Sequence, residues 1–475
     1  MAPSYLAPGV YVEEIEGGSR PVAAIGTSVP AFVGLAEQGP FNTPTMVADW
    51  ASFRRTFGDF VAGTYLGHAV YGWFLNGGGD CYIVRVGAGR MELPSATAGE
   101  VRFVARDGLS TGRVTVEVAD DEVRVYLDDR LAETIVGPQS VNEVSRLVRV
   151  ESGSSRRVKP RPGRYPLHAD APAPHADDFV GDAADRTGLG GLESVPDVST
   201  VVVPDLMALY QRGDLDLDAV KAVQLSMIAH CEMMGDRMAV LDPPPGLSPM
   251  QALEWRRDAA GFDSKYAALY YPWIRVFDPV EGRTRSVPPS GHIAGVWART
   301  DATRGVHKAP ANEAIRGAVD LDVRLSASEV SLLNPVGVNA LMAQPGRGIR
   351  VWGARTLSSD PAWRHLNVRR LFNHLERSIL YGTQWAVFEP NDAELWAKVR
   401  RTVAAFLTEQ WRRGALFGRT PDEAFFVVCD ASNNPAESVD SGAVICEVGV
   451  APVRPAEFIV FRLAQSASGA AFLEG

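Results

Sequence analysis

Residues 348–414 read GIRVWGARTLSSDPAWRHLNVRRLFNHLERSILYGTQWAVFEPNDAELWAKVRRTVAAFLTEQWRRG. Ile349 to Trp352 is a short apolar run with strand character. Asp360-Pro361 predicts a helix start, because a carboxylate caps free backbone N–H groups and proline suits the first helical position. Val368, Leu371, Phe372, Leu375 and Ile379 then fall on one helical face, while Arg369, Arg370, Asn373 and Arg377 fall off it. Asn391 with Glu394 predicts a second helix start. Its apolar face is Leu395, Val399, Val403, Phe406 and Leu407, and Gly414 is its terminator.

The same stretch is oddly charged. Residues 348–420 hold 12 Lys+Arg against 6 Asp+Glu, a balance of +6 inside a chain of net charge −10, so the remainder carries −16. Two readings follow: a pair of amphipathic helices with solvated basic faces, or a basic face that docks on an acidic partner.

Three pieces of this region, GIRVWGARTL (348–357), NVRRL (367–371) and FEPN (388–391), resemble the C-terminal domain of contractile tail sheath proteins. Those proteins form the sheaths of contractile phage tails and of related bacterial injection systems. The opening APGVYVEE (7–14) and the passage VPPSGHIAGVWARTDATRGVHKAPAN (287–312) resemble the same family.

A chain of 475 residues is too long for one core and predicts two to four domains. Its 46% apolar and 22% charged content is that of an ordinary globular protein. No apolar run approaches the ~20 residues needed to span a bilayer. The first residues, MAPSYLAPGVYVEEIEGG, lack the basic and apolar regions of a signal peptide, so a cytoplasmic place of synthesis and assembly is expected. The negative net charge argues against nucleic-acid binding by the whole chain. Cys81, Cys231, Cys429 and Cys446 form no CxxC pair and read as buried free thiols of a reducing compartment.

Residues 1–20 read as an extended arm carrying a short strand at Val10, Tyr11, Val12 and Glu13. Such a strand pairs within its own domain or adds to another chain's sheet edge. Residues 21–90 alternate strand and helix. NGGGD (76–80) follows a helix and precedes the strand CYIVRV (81–86), the reverse of a phosphate loop, and so reads as a turn. Residues 91–185 change to short alternating runs. Val114, Val116 and Val118 share one face, as do Val123, Val125 and Leu127, which predicts an inserted β-rich domain with one wet side. GLSTG (108–112) matches a nucleophile elbow, but strands on both sides predict a hairpin turn instead.

From 186 to 349 strand and helix alternate again, with strands at Val198–Val203, Met238–Asp242 and Tyr266–Phe277. This predicts a sheet covered by helices. Ser290 to Arg299 is helix-like, with Gly291 and Gly295 as a narrow packing face. Ser290, His292, Asp301, His307 and Lys308 are possible catalytic groups, but no metal spacing or fixed partner supports that use. Three strand-like runs close the chain, the last at Pro455 to Leu463, ahead of a small polar tip over 465–475.

The expected architecture is mixed α/β and multi-domain. Residues 21–90 join 350–475 in an inner core, 186–349 form a middle domain, and both termini are arms. The resemblance implies a non-enzymatic subunit without cofactor or metal. It implies helical polymerisation, as stacked hexameric rings, around an inner tube protein, with baseplate and tail-terminator partners and no stable membrane insertion. It also implies strand exchange between neighbours through Val10, Tyr11, Val12, Glu13, Phe458, Ile459, Val460 and Phe461. The basic helix face of Arg369, Arg370, Asn373 and Arg377 is expected to hold the inner tube. The rival readings are a hydrolase, disfavoured by the lack of a placed catalytic motif, and a monomeric binding module.

Overall fold

The structure is a computed structural model and describes residues 26–87, 95–99, 101–106, 114–119, 122–127, 130–137, 140–152, 160–167, 174–279 and 282–458. Two short apolar runs start its central sheet: β1 (Pro30–Gly34), buried at every residue, and β3 (Cys81–Arg85). The strand β2 (Thr45–Val47) lies against β3 at an edge. Between β1 and β3 runs the apolar helix α1 (Leu66–Leu75).

After β3 the chain leaves this sheet and builds a separate unit. Its strands are β4 (Ser95–Ala98), β5 (Val101–Ala105), β6 (Val114–Val118), β7 (Glu122–Leu127), β8 (Arg130–Val136), β9 (Val148–Ser152) and β10 (Gly163–Pro166). They form two antiparallel sheets, in the orders β4-β5-β9 and β10-β6-β7-β8. Val114, Val116, Val118, Val123 and Val125 close the core with Phe103, as their alternation predicts. The unit is narrower than 91–185, since the helix Ala176–Val180 inserts Phe179 into the main core. GLSTG (108–112) lies outside the described residues; the strands before and after it, β5 and β6, belong to different sheets.

The chain then returns to the central sheet with β11 (Thr200–Val202), β12 (Met238–Leu241) and β13 (Ala267–Tyr271). The helix α2 (Leu217–Met234) crosses between β11 and β12. The aromatic run read as one strand breaks at Pro272. Its second half, β14 (Ile274–Asp278), pairs with β15 (Arg283–Val287) and β16 (Ala318–Leu321) in a small sheet of its own. The strands β17 (Val338–Gln344) and β18 (Gly348–Val351) complete the central sheet, whose order is β18-β17-β13-β12-β11-β1-β3-β2. The six inner strands are parallel and the two outer ones antiparallel. Parallel strands are covered on both faces, which is why these read as continuous apolar runs.

This topology corrects the expected domain boundaries. Residues 26–87 share one sheet and one core with residues up to Leu366, not with the C-terminal part. The C-terminal part has its own apolar clusters, around Leu371 and Phe406 and around Val399 and Cys429. Its elements are α4 (Leu366–Gly382), α5 (Ala393–Arg412) and a sheet with two strands among the described residues, β19 (Phe425–Val428) and β20 (Glu447–Val450). The apolar face read for α5 is buried throughout, and Asp392 rather than Asn391 caps it by accepting from Glu394 and Leu395 N–H. Asp360 does not start α4. It accepts from Ala362 N–H in a turn, and the helix begins at Leu366. Residues 453–458 form no strand, so the third C-terminal strand is not seen where the structure describes it.

The helix α3 (Ser290–Arg304) packs directly on α1. A Cβ on Gly291 would sit 2.4 Å from Ala69 Cα, and one on Gly295 2.6 Å from the Trp73 carbonyl oxygen. Both obstacles are backbone, so the helices would have to separate. Ser290 pins the start of α3 by donating its N–H and hydroxyl to Asp242, at 3.0 and 2.5 Å. Burial pushes the Asp242 carboxyl up to about 7 against the pull of those bonds. We expect Gly291→Ala to destabilise the chain by ~1–3 kcal/mol, the range of core overpacking, read as a lower denaturation midpoint with unchanged m-value.

Candidate functional site

Helix α4 has no wet face along its first three turns. Leu371 and Leu375 join the C-terminal cluster with Phe406 and Leu407. The polar residues on its other side, expected to face a partner, are buried against the chain's own sheet domain. Arg369 is 0% exposed, Arg370 and Arg377 4%, and Asn373 6%. The expected inner-tube face is therefore an internal seam. The helical spacing groups these residues on one side of α4, and that side is buried.

Each arginine is held by a different chemistry. Arg370 forms a two-pronged pair with Asp301 of α3, at 2.9 and 2.5 Å. Asp301 also accepts from the hydroxyls of Thr27 and Ser28, both at 2.6 Å. The Arg370 guanidinium lies 4.7 Å from the Trp297 ring centre. Arg369 donates to Asn373 at 2.6 Å and to Glu376 at 2.9 Å, and stacks near Tyr266 and Trp363 at 4.8 and 4.5 Å. Arg377 donates to the carbonyls of Pro196 and Val198 at the entrance to β11. Asn367 donates to the His307 carbonyl at 2.7 Å and to the Val453 carbonyl at 3.1 Å. Beyond the helix, Arg355 pairs with Glu457, whose carboxyl is held below its usual range by that guanidinium although burial opposes it.

Three of the residues that looked catalytic, Ser290, Asp301 and Lys308, have structural partners. Ser290 and Asp242 pin α3, Asp301 holds Arg370, and Lys308 pairs with Glu313 at 2.9 Å. Burial lowers His292 to about 3 and His374 to about 4, so both are neutral at ordinary pH. Among the described residues, no group of three or more His, Cys, Asp or Glu could hold a metal ion, and no helix is long and apolar enough to cross a membrane.

The strand-exchange residues Val10, Tyr11, Val12, Glu13, Ile459, Val460 and Phe461 lie outside the described residues. Phe458 is described and is 78% exposed. The C-terminal part shows other large apolar groups: Phe388 at 88%, Phe417 at 73% and Phe426 at 57%. Phe388 also has φ of +68°, a backbone region that costs a non-glycine residue energy. Phe458 is among the residues expected at a neighbour's sheet; Phe388, Phe417 and Phe426 are not singled out by the sequence, since an apolar residue in a short run reads as core.

Exposed apolar rings on a tightly packed chain suit a surface that another chain covers. Two family models match the chain: the phage tail sheath protein central domain over residues 197–357, and the phage tail sheath C-terminal domain over 358–466. Together they cover more than half of it. The chain is 26% identical over 486 residues to the tail sheath protein of Burkholderia phage BcepMu, covering 97% of each. It is 28% identical over 211 residues to a putative prophage major tail sheath protein of Pseudomonas aeruginosa, covering 53% of that protein. Among solved structures, it superposes on the anti-feeding prophage sheath in its contracted helical state with a TM-score of 0.63, at 27% identity, covering 98% of this chain and all of that one. A six-fold symmetrised anti-feeding prophage baseplate gives a TM-score of 0.63 at 26% identity and the same coverage. The chain belongs to the contractile tail sheath family, and it is a structural subunit of a contractile sheath.

The seam generates a test. Arg370→Ala leaves Asp301 buried without its cation, and we expect a loss of ~3–5 kcal/mol. In a double-mutant cycle with Asp301→Ala, the double variant should be much less destabilised than the sum of the singles. Additive losses would show that the pair is not coupled.

Proposed function

We propose that copies of this chain stack as six-membered rings around an inner tube, joined to a baseplate at one end and a terminator at the other, and are assembled in the cytoplasm. In this reading the terminal arms, through Val10–Glu13 and Phe458–Phe461, add strands to the β19–β20 sheet of neighbouring copies. The observation that carries it is that sheet itself. It has two strands among the described residues, an arrangement of marginal stability alone, and it leaves Phe426 exposed at its centre. Added strands would cover the open edges and the ring. Contacts of this head-to-tail kind do not close on themselves and generate a helix. A chain lacking residues 1–16 should then fold normally but form no tubes in negative-stain images. Normal tubes would reject the arm exchange.

The tube contact passes to other cations. Lys398, Arg401 and Arg412 are exposed on one face of α5, with the helix backed by its buried apolar stripe. They lie in the region of +6 balance, suited to an acidic tube surface. Reversing Arg401 and Arg412 to Glu should leave folding unchanged, because both are exposed, yet prevent assembly of the extended sheath on the tube protein. Unimpaired assembly at physiological salt would remove the tube contact from this face.

On release, rigid subunits would rotate outward while the exchanged strands keep the mesh joined. A preference of ~1.4 kcal/mol per subunit is tenfold in equilibrium, and coupled subunits multiply it. No nucleotide is required if the extended state persists behind a kinetic barrier.

A further inference from the structure

Two of the four cysteines face each other. The strands β19 and β20 pair in the register Phe425↔Val450 through Val428↔Glu447. One step further, Cys429 stands opposite Cys446. Ala451 N–H donates to the Ala424 carbonyl at 2.9 Å, which marks that pair as the hydrogen-bonded kind. Alternation along the ladder then puts Cys429 and Cys446 at a non-hydrogen-bonded position, where Cα atoms are about 4.5 Å apart and side chains approach most closely. That spacing lies within the roughly 4.4–6.8 Å that a disulfide spans.

The surroundings hold the pair in place. Asn434, 2% exposed, donates to the Asp430 carbonyl at 3.1 Å and to the Ile445 carbonyl at 2.9 Å, and accepts from Ile445 N–H at 2.6 Å. It thus ties together the residues next to each cysteine. Cys429 is buried in the cluster of Val399 and Val403, and Cys446 packs against that cluster while remaining half-buried. The Cys446 thiol is hydrogen-bonded to the Cys429 sulfur, which favours the thiolate at Cys429 and disfavours it at Cys446.

We propose that Cys429 and Cys446 are a disulfide-forming pair, free thiols when reduced and closed to an intrachain cystine by a small-molecule disulfide such as oxidised glutathione. Cys446, the accessible sulfur, hands its proton to the neighbouring Cys429 thiolate and attacks one sulfur of the small disulfide, whose leaving sulfur takes that proton on. That S–S bond breaks and expels the first small thiol. The Cys429 thiolate then attacks the Cys446 sulfur, the mixed S–S bond breaks, and the second small thiol leaves. Two cysteine thiols are oxidised and the small disulfide is reduced to two thiols. The product fastens β19 to β20 at the end of the two-stranded sheet, restricting the unfolded chain.

The test uses the full chain, treated with oxidised glutathione or with dithiothreitol, then freed of reagent, alkylated in denaturant and peptide-mapped by mass spectrometry. The expected product is one cross-link joining the Cys429 and Cys446 peptides, with Cys81 and Cys231 still alkylatable. Its melting temperature should rise by about 5 °C over the reduced form. Cys446→Ser should form no cross-link and show no such shift. A glutathione adduct that persists on Cys446, four free thiols after oxidation, or a cross-link to Cys81 or Cys231 would overturn the proposal.

Discussion

The ion pair between Arg370 and Asp301 is the constraint around which the subunit is arranged. Both side chains are almost fully withdrawn from water, at 4% and 5% exposure. A buried charge without its partner is costly, so α4 and α3 can dock in only one relation. Thr27 and Ser28 complete the coordination of Asp301, which draws the start of the described chain into the same point. Three distant parts of the sequence are thereby fixed to one carboxylate. Such a pair need not add net stability over an apolar replacement. Its contribution is orientation, the fixed relation of α3, α4 and the start of the described chain.

That arrangement leaves a deeply packed centre and a lightly covered C-terminal sheet. The central sheet has six parallel strands closed by antiparallel edges, and helices cover it. The β-rich insertion keeps its own core and leaves the sheet between β3 and β11, so its variation would not disturb the sheet's register. Apart from the central sheet stand the small β19–β20 sheet and the exposed phenylalanines of the C-terminal part. Apolar rings in water are unfavourable in a lone subunit and favourable once a neighbour covers them.

Much of this was legible in the residues. Buried parallel strands announce themselves as continuous apolar runs, and the alternation at Val114–Val118 declared a one-sided sheet. The narrow face of Gly291 and Gly295 predicted a close helix contact, and Ala69 and Trp73 supply it. Helix periodicity placed Arg369, Arg370, Asn373 and Arg377 together. It could not say what lay opposite, because a basic face looks the same whether it meets solvent, a partner or the chain's own carboxylates. Asp301 is 69 residues away from Arg370, and Pro196 is 181 from Arg377. The joining of residues 26–87 to the middle region escaped for the same reason. Strand order across β1, β3 and β11 depends on a crossover that skips an entire inserted unit, and local patterns carry no trace of it.

A structure of the assembled sheath in its extended and contracted states tests the account most directly. The account predicts that Arg369, Arg370 and Arg377 keep their partners within their own chain in both states, while terminal segments of neighbouring copies lie against β19 and β20. Arginine side chains of α4 found on another subunit or on the tube, or terminal segments folded onto their own sheet, would contradict it.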